Sequence, residues 1–307
     1  MFANLLAMAL ASSGLAAQPE RPPAPAVFSD VPEFKPTATP QEWAEQCKPW
    51  DDWDKPAPPF QIFGDVYYVG TCGITVLLVR TTNGFVLLDT GTENGAVEAM
   101  RNIDKMGIAK NRIGLILYTH EHFDHVGGMS LVQLISGAPV LATPIAAEVL
   151  KTGKDSPQDP QHGMHGPMKP VTNVITITPE TLIVQGGRTF TPIATPGHTP
   201  GALSWQWESC EGDVCKTIIY ADSLSPVSRD DYKFSDHPEY LEAYRAGLDR
   251  IKNLKCDILL TPHPSHSKMI QRAKTGSFEG GVTCSEYAAG KHRDLDARLE
   301  REAGGDQ

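Results

Sequence analysis

From Phe60 onward, apolar residues come in short runs broken by turn formers. "FQIFGDVYYVG", "GITVLLVRT" and "GFVLLDT" read as strands punctuated by Gly64, Asp65, Asn83 and Gly84, so hairpins are expected there. "NGAVEAMRNIDKMG" then switches to helical spacing and closes on Gly107, and "RIGLILY" follows as a short buried-type strand. A helix is predicted from about His125 to Ser136. In the second half "APVLA", "NVITIT", "TLIVQGGRTFTPIAT", "ALSWQWE" and "KTIIYAD" read as strands, "HPEYLEAYRAGLDRIKNL" as a helix and "CDILLTP" as a late buried strand. The stretch from Cys284 to about Arg301 reads as a charged helix. Two strand-rich halves, each accompanied by helices, predict an α/β fold with two facing sheets between helical layers, an αββα sandwich. No short-period repeat is visible.

Composition narrows what such a chain can do. With 307 residues and 40% apolar content it can bury a full core, and a single catalytic domain over 41–307 is expected. Its 27 basic against 37 acidic residues give a net charge of −10. That balance repels phosphate backbones and argues against a nucleic-acid partner. The first 17 residues hold a short apolar stretch ending in small residues at Ala16 and Ala17, which reads as a secretory signal without a basic start. The run is too short and interrupted for a membrane span. Residues 18–40, rich in Pro and Ala, read as an extended linker.

Six cysteines, Cys47, Cys72, Cys210, Cys215, Cys256 and Cys284, are an even set that an exported protein could pair. Cys210 and Cys215 flank "EGDV" between two strand-like runs, where a bridge would close a hairpin. Neighbour order then suggests Cys47 with Cys72 and Cys256 with Cys284. A reduced cytosolic set is the alternative, but no C-x-x-C pair marks a thiolate zinc site. A periplasmic or secreted protein follows.

The chemistry concentrates in "LYTHEHFDHVGG", residues 117–128, directly after a buried strand. His120 and His122 lie two apart, so on a turning backbone both can face one metal ion; Asp124 and His125, a turn later, suit a second ion. "TPGHTPG" presents His198 from a Pro- and Gly-fixed turn, and "LLTPHPSH" presents His263 after a strand. These complete two sets of three: His120, His122 and His198, then Asp124, His125 and His263. Structural zinc sites are usually closed, four-ligand and thiolate-rich, which this set is not.

"THEHFDH", "TPGHTPG", "YADSL", "TPHP" and "VLLDTG" at residues 86–91 together resemble the metallo-β-lactamase fold superfamily. The pattern is most similar to its third subclass, exported dizinc enzymes with a His-His-His site beside an Asp-His-His site. The resemblance covers roughly residues 47–300, including the three cysteine pairs. It implies two Zn2+ ions and hydrolysis of the β-lactam amide by an activated water, with the first ion polarising the carbonyl and the second stabilising the departing nitrogen. Zinc lowers the pKa of a water from ~16 toward ~7, so no separate base is needed. His120, His122, His198, Asp124 and His263 would carry the catalysis. Ser223 resembles the serine that stands where other subclasses place a metal-binding cysteine, and Ser225 the serine that helps bind the substrate carboxylate. A small-molecule β-lactam is the expected partner, and a monomer the expected state. "YADSL" is also similar to the "GDTL" of thioester hydrolases, which leaves a bridging role for Asp222 open. A same-fold hydrolase of thioesters or lactones and a non-catalytic zinc-binding protein remain the competing readings.

Other polar residues carry plainer readings. Asp89, at a strand end beside Gly91, is expected to pin a loop or support a ligand rather than bind metal. Glu121 is expected to face away from the metals. His162 and His165 lie in a loop and read as exposed or substrate-facing; His266 could edge the pocket; His237 and His292 read as surface. Trp205 and Trp207 alternate on a strand and read as packing.

Overall fold

The computed structural model of the chain describes residues 34–304. Residues 1–17, read as a signal, and residues 18–33 of the expected linker lie outside the described residues. Residues 34–39 are not free chain: Ala38 bridges Phe60, and the Phe34 ring packs edge-on against Tyr67 and Phe85 at 5.3 Å.

Seven strands form the first sheet in sequential order: β1 (Phe60–Phe63), β2 (Val66–Tyr68), β3 (Leu77–Thr81), β4 (Gly84–Leu88), β5 (Ile113–Leu117), β6 (Val140–Ala142) and β7 (Val174–Thr176). The first four are antiparallel and the rest run parallel to β4. The second sheet holds β8 (Ile183–Gln185), β9 (Arg188–Ala194), β10 (Leu203–Glu211), β11 (Val214–Tyr220) and β12 (Ile258–Leu260), ordered β12-β11-β10-β9-β8. β8 and β9 were one strand in the sequence reading. The chain instead turns back at Gly186 and Gly187, both at positive φ, which suits the twist of a tight hairpin.

The helices are α1 (Pro40–Gln46), α2 (Glu93–Lys105), α3 (Phe123–Val126), α4 (Met129–Ser136), α5 (Pro144–Thr152), α6 (Pro238–Lys252), α7 (Met269–Lys274) and α8 (Cys284–Gly304). Alternation along β11 and β12 shows how the layers are held. Ile218, Tyr220, Ile258 and Leu260 face the core between the sheets. Ile219 and Leu259 point the other way, into a second core with Tyr244 and Leu248 of α6 and Tyr287 and Leu295 of α8. Both faces of this edge of the sheet are therefore dry, which is why its two parallel strands read as apolar runs. Full burial of each such side chain contributes about 1.5–3 kcal/mol.

One sequence expectation fails here. The helix read from His125 to Ser136 is two helices, α3 and α4, parted at Gly127 and Gly128. A Cβ on Gly127 would sit 2.2 Å from the Phe123 carbonyl oxygen, and one on Gly128 2.1 Å from the Ala96 Cβ of α2. The close approach of α2 breaks the helix, so α4 begins past the cluster and α3 has only one turn. No long helix points its positive end at the cluster from His125.

The structure joins Cys47 to Cys72, Cys210 to Cys215 and Cys256 to Cys284. The last bridge ties the first residue of α8 to the segment entering β12. Among the described residues no helix is long and apolar enough to cross a membrane.

Candidate metal centre

Side chains of catalytic type gather where strands end. Asp89 follows β4, His120 lies just beyond β5, Asp222, Ser223 and Ser225 follow β11, and His263 follows β12. The loop between β9 and β10 adds His198 at the same end, because the start of β10 pairs with the end of β11 through Trp205 and Tyr220. Parallel strands with covered faces leave that end open to a ligand.

The six side chains form two adjoining triangles. The His120, His122 and His198 ring centroids stand 5.1, 4.7 and 4.8 Å apart, and their donor atoms lie within 4.8 Å of one another. In the second triangle, Asp124 Oδ2 is 3.0 Å from His125 Nε2 and 3.4 Å from His263 Nε2, and the two nitrogens are 3.3 Å apart. Four donors at about 2.0–2.1 Å from a tetrahedral zinc would be separated by ~3.3 Å. His120 and His125, with centroids 4.1 Å apart, link the two sets. The donors thus fit two neighbouring cations.

Each ring of the first set is oriented by a partner on its outer side, which fixes the nitrogen left to face inward. His198 Nδ1 donates to the Ser225 carbonyl at 2.8 Å. His122 uses Nε2 toward Asp159 Oδ2, 3.0 Å away. His120 Nδ1 lies 2.7 Å from Asp222 Oδ1, outside hydrogen-bond geometry, while its buried Nε2 has no partner among the described residues. Asp222 therefore stands behind His120, on the side away from Nε2, the place of a support rather than of a bridging ligand. Asp89 accepts from Thr119 N and Oγ1 and from the Tyr220 hydroxyl, at 2.7, 2.9 and 2.7 Å, and lies 3.8 Å from His125 Nδ1. It adopts φ +60 to do so.

The electrostatics call for positive charge. Burial pushes Asp89 up to about 6, Glu121 to about 7 and Asp222 to about 8, and it drives His120 and His198 well below the ordinary imidazole range. Burial would also raise Asp124, yet His125 and His263 hold it well below 3.8. Against desolvation, the Asp159 carboxylate raises His122. A buried cluster of imidazoles and carboxyl groups is costly to desolvate without cations to balance it. That balance and the orphaned His120 Nε2 suit metal ions held from the imidazole and carboxylate side.

Glu121 does turn from the donors, but to a purpose the sequence reading did not assign. Its Oε2 accepts from Thr199 Oγ1 at 2.6 Å and its Oε1 from Gly201 N at 2.8 Å, clipping the His198 loop to the His120 strand end. Asp159 was also missed; it sits in a loop, "SPQDPQ", that carries no motif. Ser223 Oγ is buried without a hydrogen-bond partner among the described residues, and Ser225 Oγ accepts from Lys291 Nζ of α8 at 2.7 Å. His266 lies 5.1 Å, ring to ring, from His263, and His165 packs 4.6 Å from Phe123 at the mouth. His162 pairs with Asp155, His292 with Asp249, and His237 stacks on Tyr232. Trp205 donates Nε1 to the Tyr118 carbonyl within the core, and Trp207 is buried. A cavity of 770 Å³ lined by Trp50, Trp53, Phe123, Asp51, Asp52 and Asp54 adjoins the centre, with the Trp53 ring 5.9 Å from His263.

Solved structures share this fold. The chain is 46% identical to the solved metallo-beta-lactamase MIM-2, covering 87% of this chain and 100% of that one with a TM-score of 0.82. It is 33% identical to MEM-A1, a subclass B3 metallo-beta-lactamase from a soil metagenome library, over 83% of this chain and 100% of that one, with a TM-score of 0.80. It is also 30% identical, over 143 residues, to the uncharacterized protein YobT of Bacillus subtilis (strain 168); the match spans 43% of this chain and 56% of that protein. Residues 69–263, from the strand ahead of Cys72 to the last histidine of the two triangles, match the family model "Metallo-beta-lactamase superfamily". With the site built at the ends of its two mixed sheets and subclass B3 enzymes among its structural neighbours, the chain belongs to the metallo-beta-lactamase superfamily.

Proposed function

We propose that the protein is an exported, zinc-dependent β-lactamase that opens the four-membered amide ring of penicillins, cephalosporins and carbapenems and so confers resistance to them. The observation that carries this reading is the convergence of six donors into two adjoining triangles, in a chain that covers the whole of solved B3 enzymes.

His120, His122 and His198 would hold one zinc ion and Asp124, His125 and His263 the other. Zinc there would polarise the lactam carbonyl and make a nucleophilic water available near neutral pH. Asp124 uses Oδ2 toward both imidazoles, which leaves its other oxygen to orient the attacking water and relay its proton toward the departing nitrogen. The hydroxyl adds to the carbonyl carbon, the C–N bond breaks, and the nitrogen gains the proton, giving a β-amino acid product. Ser223, with a free buried hydroxyl, and Ser225 would donate to the substrate carboxylate. Trp53 and Phe123 supply an apolar wall beside His263.

Purified protein is tested on nitrocefin, a lactoylglutathione-type thioester and an acyl-homoserine lactone, before and after chelation, with zinc content measured. Turnover of nitrocefin that chelation abolishes, zinc restores and clavulanate leaves intact is expected. Turnover that survives chelation refutes the mechanism. Turnover of the thioester or lactone alone refutes the substrate class.

A further inference from the structure

We propose that Lys291, on α8, is the cation that recognises the substrate's carboxylate, acting through the hydroxyl of Ser225 as a positioning and specificity-determining residue. The inference deepens the β-lactamase reading and rests on it.

Four observations place Lys291 in the site although it lies in the C-terminal helix. Its side chain is buried, with its ammonium 2.7 Å from Ser225 Oγ. The same Ser225 accepts His198 Nδ1 on its carbonyl at 2.8 Å, so the ammonium is one residue removed from a metal-binding imidazole. Tyr287, one turn before Lys291, donates its hydroxyl to the carbonyls of both Asp222 and Ser223 at 2.7 Å and lies beneath the Lys291 ammonium, 5.6 Å from ring centre to Nζ. The Cys256–Cys284 bridge pins the start of that helix. One face of α8 therefore carries the loop that presents Ser223 and Ser225.

Burying an ammonium is costly, and a structural role would demand a close carboxylate. The partner available, Asp294, is exposed and 3.7 Å away. Ser225 Oγ is a neutral acceptor, and the exposed Asp294 leaves part of the buried ammonium's charge open to a second anion. An anion arriving at Ser225 would complete the pairing. With one lone pair held by Lys291, the Ser225 hydroxyl hydrogen needs only to leave its long 3.3 Å contact with the Ser223 carbonyl to point at the newcomer. A donor polarised by a cation is a stronger donor. The surroundings sharpen the need for that charge: the chain is at −10, and Asp51, Asp52 and Asp54 line the adjoining cavity, so away from the metals an anionic substrate meets acidic side chains on that side of the mouth.

The test compares a cephalosporin with its carboxylate methyl ester in the wild type, Lys291→Met and Lys291→Gln, with melting temperature and zinc content followed alongside. Gln is one bond shorter but keeps an amide donor for Ser225 Oγ and has no charge, so it separates charge from packing should the Met variant fail to fold. A charged hydrogen bond lost from binding corresponds to about a tenfold change or more. The expected result is that KM for the acid rises about tenfold in both variants, with kcat and the ester little changed, so the wild type's preference for acid over ester falls by that factor. Equal loss on acid and ester, or an unchanged preference in Lys291→Gln, overturns the proposal. A wild type that hydrolyses neither compound overturns the β-lactamase reading itself.

Discussion

Gly197 offers the sharpest test of how the His198 loop is held. It has φ +153, and a Cβ placed on it would lie 2.1 Å from Tyr244 Cδ2, 2.4 Å from Cγ and 2.5 Å from Cε2. The ring cannot step aside, because Tyr244 is fully buried and donates its hydroxyl to the Leu224 carbonyl at 2.7 Å. The loop is also tied from the other side, with Gly197 N donating to the Thr199 carbonyl and Tyr240 to the Gly197 carbonyl. Ala at 197 must therefore move backbone adjacent to His198. Overpacking costs about 1–3 kcal/mol, and a side chain in glycine-only backbone space costs on the order of 1–3 kcal/mol more. Gly107→Ala is the control: φ is +82 with nothing within 4 Å, so only the backbone cost remains, roughly 1–2 kcal/mol. Urea unfolding of both variants at equal zinc saturation, followed by kcat/KM on nitrocefin, decides the matter. Gly197→Ala should lose about 2–6 kcal/mol and, with His198 displaced by ~1 Å, about a hundredfold in kcat/KM. Gly107→Ala should keep its activity. If the two variants unfold alike and Gly197→Ala is fully active, the claim that Tyr244 fixes the His198 loop is wrong.

Two further outcomes follow from named contacts. Asp159→Asn keeps a side-chain acceptor for Gln161 N but removes the charge beside His122 Nε2, and should weaken zinc affinity about 10–100-fold by chelator competition; unchanged affinity would show that Asp159 merely shapes its loop. Burial alone would raise Glu302, yet hydrogen bonds from Ser235 N, Arg298 Nε and Phe234 N hold it below its ordinary 4.5. The folded state thus binds this proton less readily than the unfolded one, so the stabilisation is fully present above pH 4.5 and is lost as pH falls through the lower folded value. Glu302→Gln should therefore be less stable than wild type at pH 6, with the gap narrowing in urea melts as pH falls below 4.5, and a difference that does not narrow in acid would point to packing instead.

Much of the site was legible because its chemistry is local. His120, His122, Asp124 and His125 fall within six positions at a strand end, and His198 and His263 each sit in a Pro-rich turn that can do little else with an imidazole. Backbone rules do the rest: strands alternate and helices repeat at 3.6 residues, so the layers and most elements could be read from apolar spacing. The helix break at Gly127 and Gly128 could not, since its cause is Ala96 on another element.

By itself, then, the sequence determined which donor types exist, their order along the chain and the sheet-and-helix layers that hold them. Only the tertiary structure decided which nitrogen of each histidine faces inward, what Glu121 clips, and that Asp159 and Lys291 lie against residues of the cluster. The reason is distance along the chain. Asp159 meets His122 across 37 residues, Glu121 meets Gly201 across 80, and Lys291 meets Ser225 across 66. Hydrogen bonds of that span leave no periodicity or motif, and a loop aspartate or a lysine on a charged helix looks like ordinary surface until folding removes the water from around it.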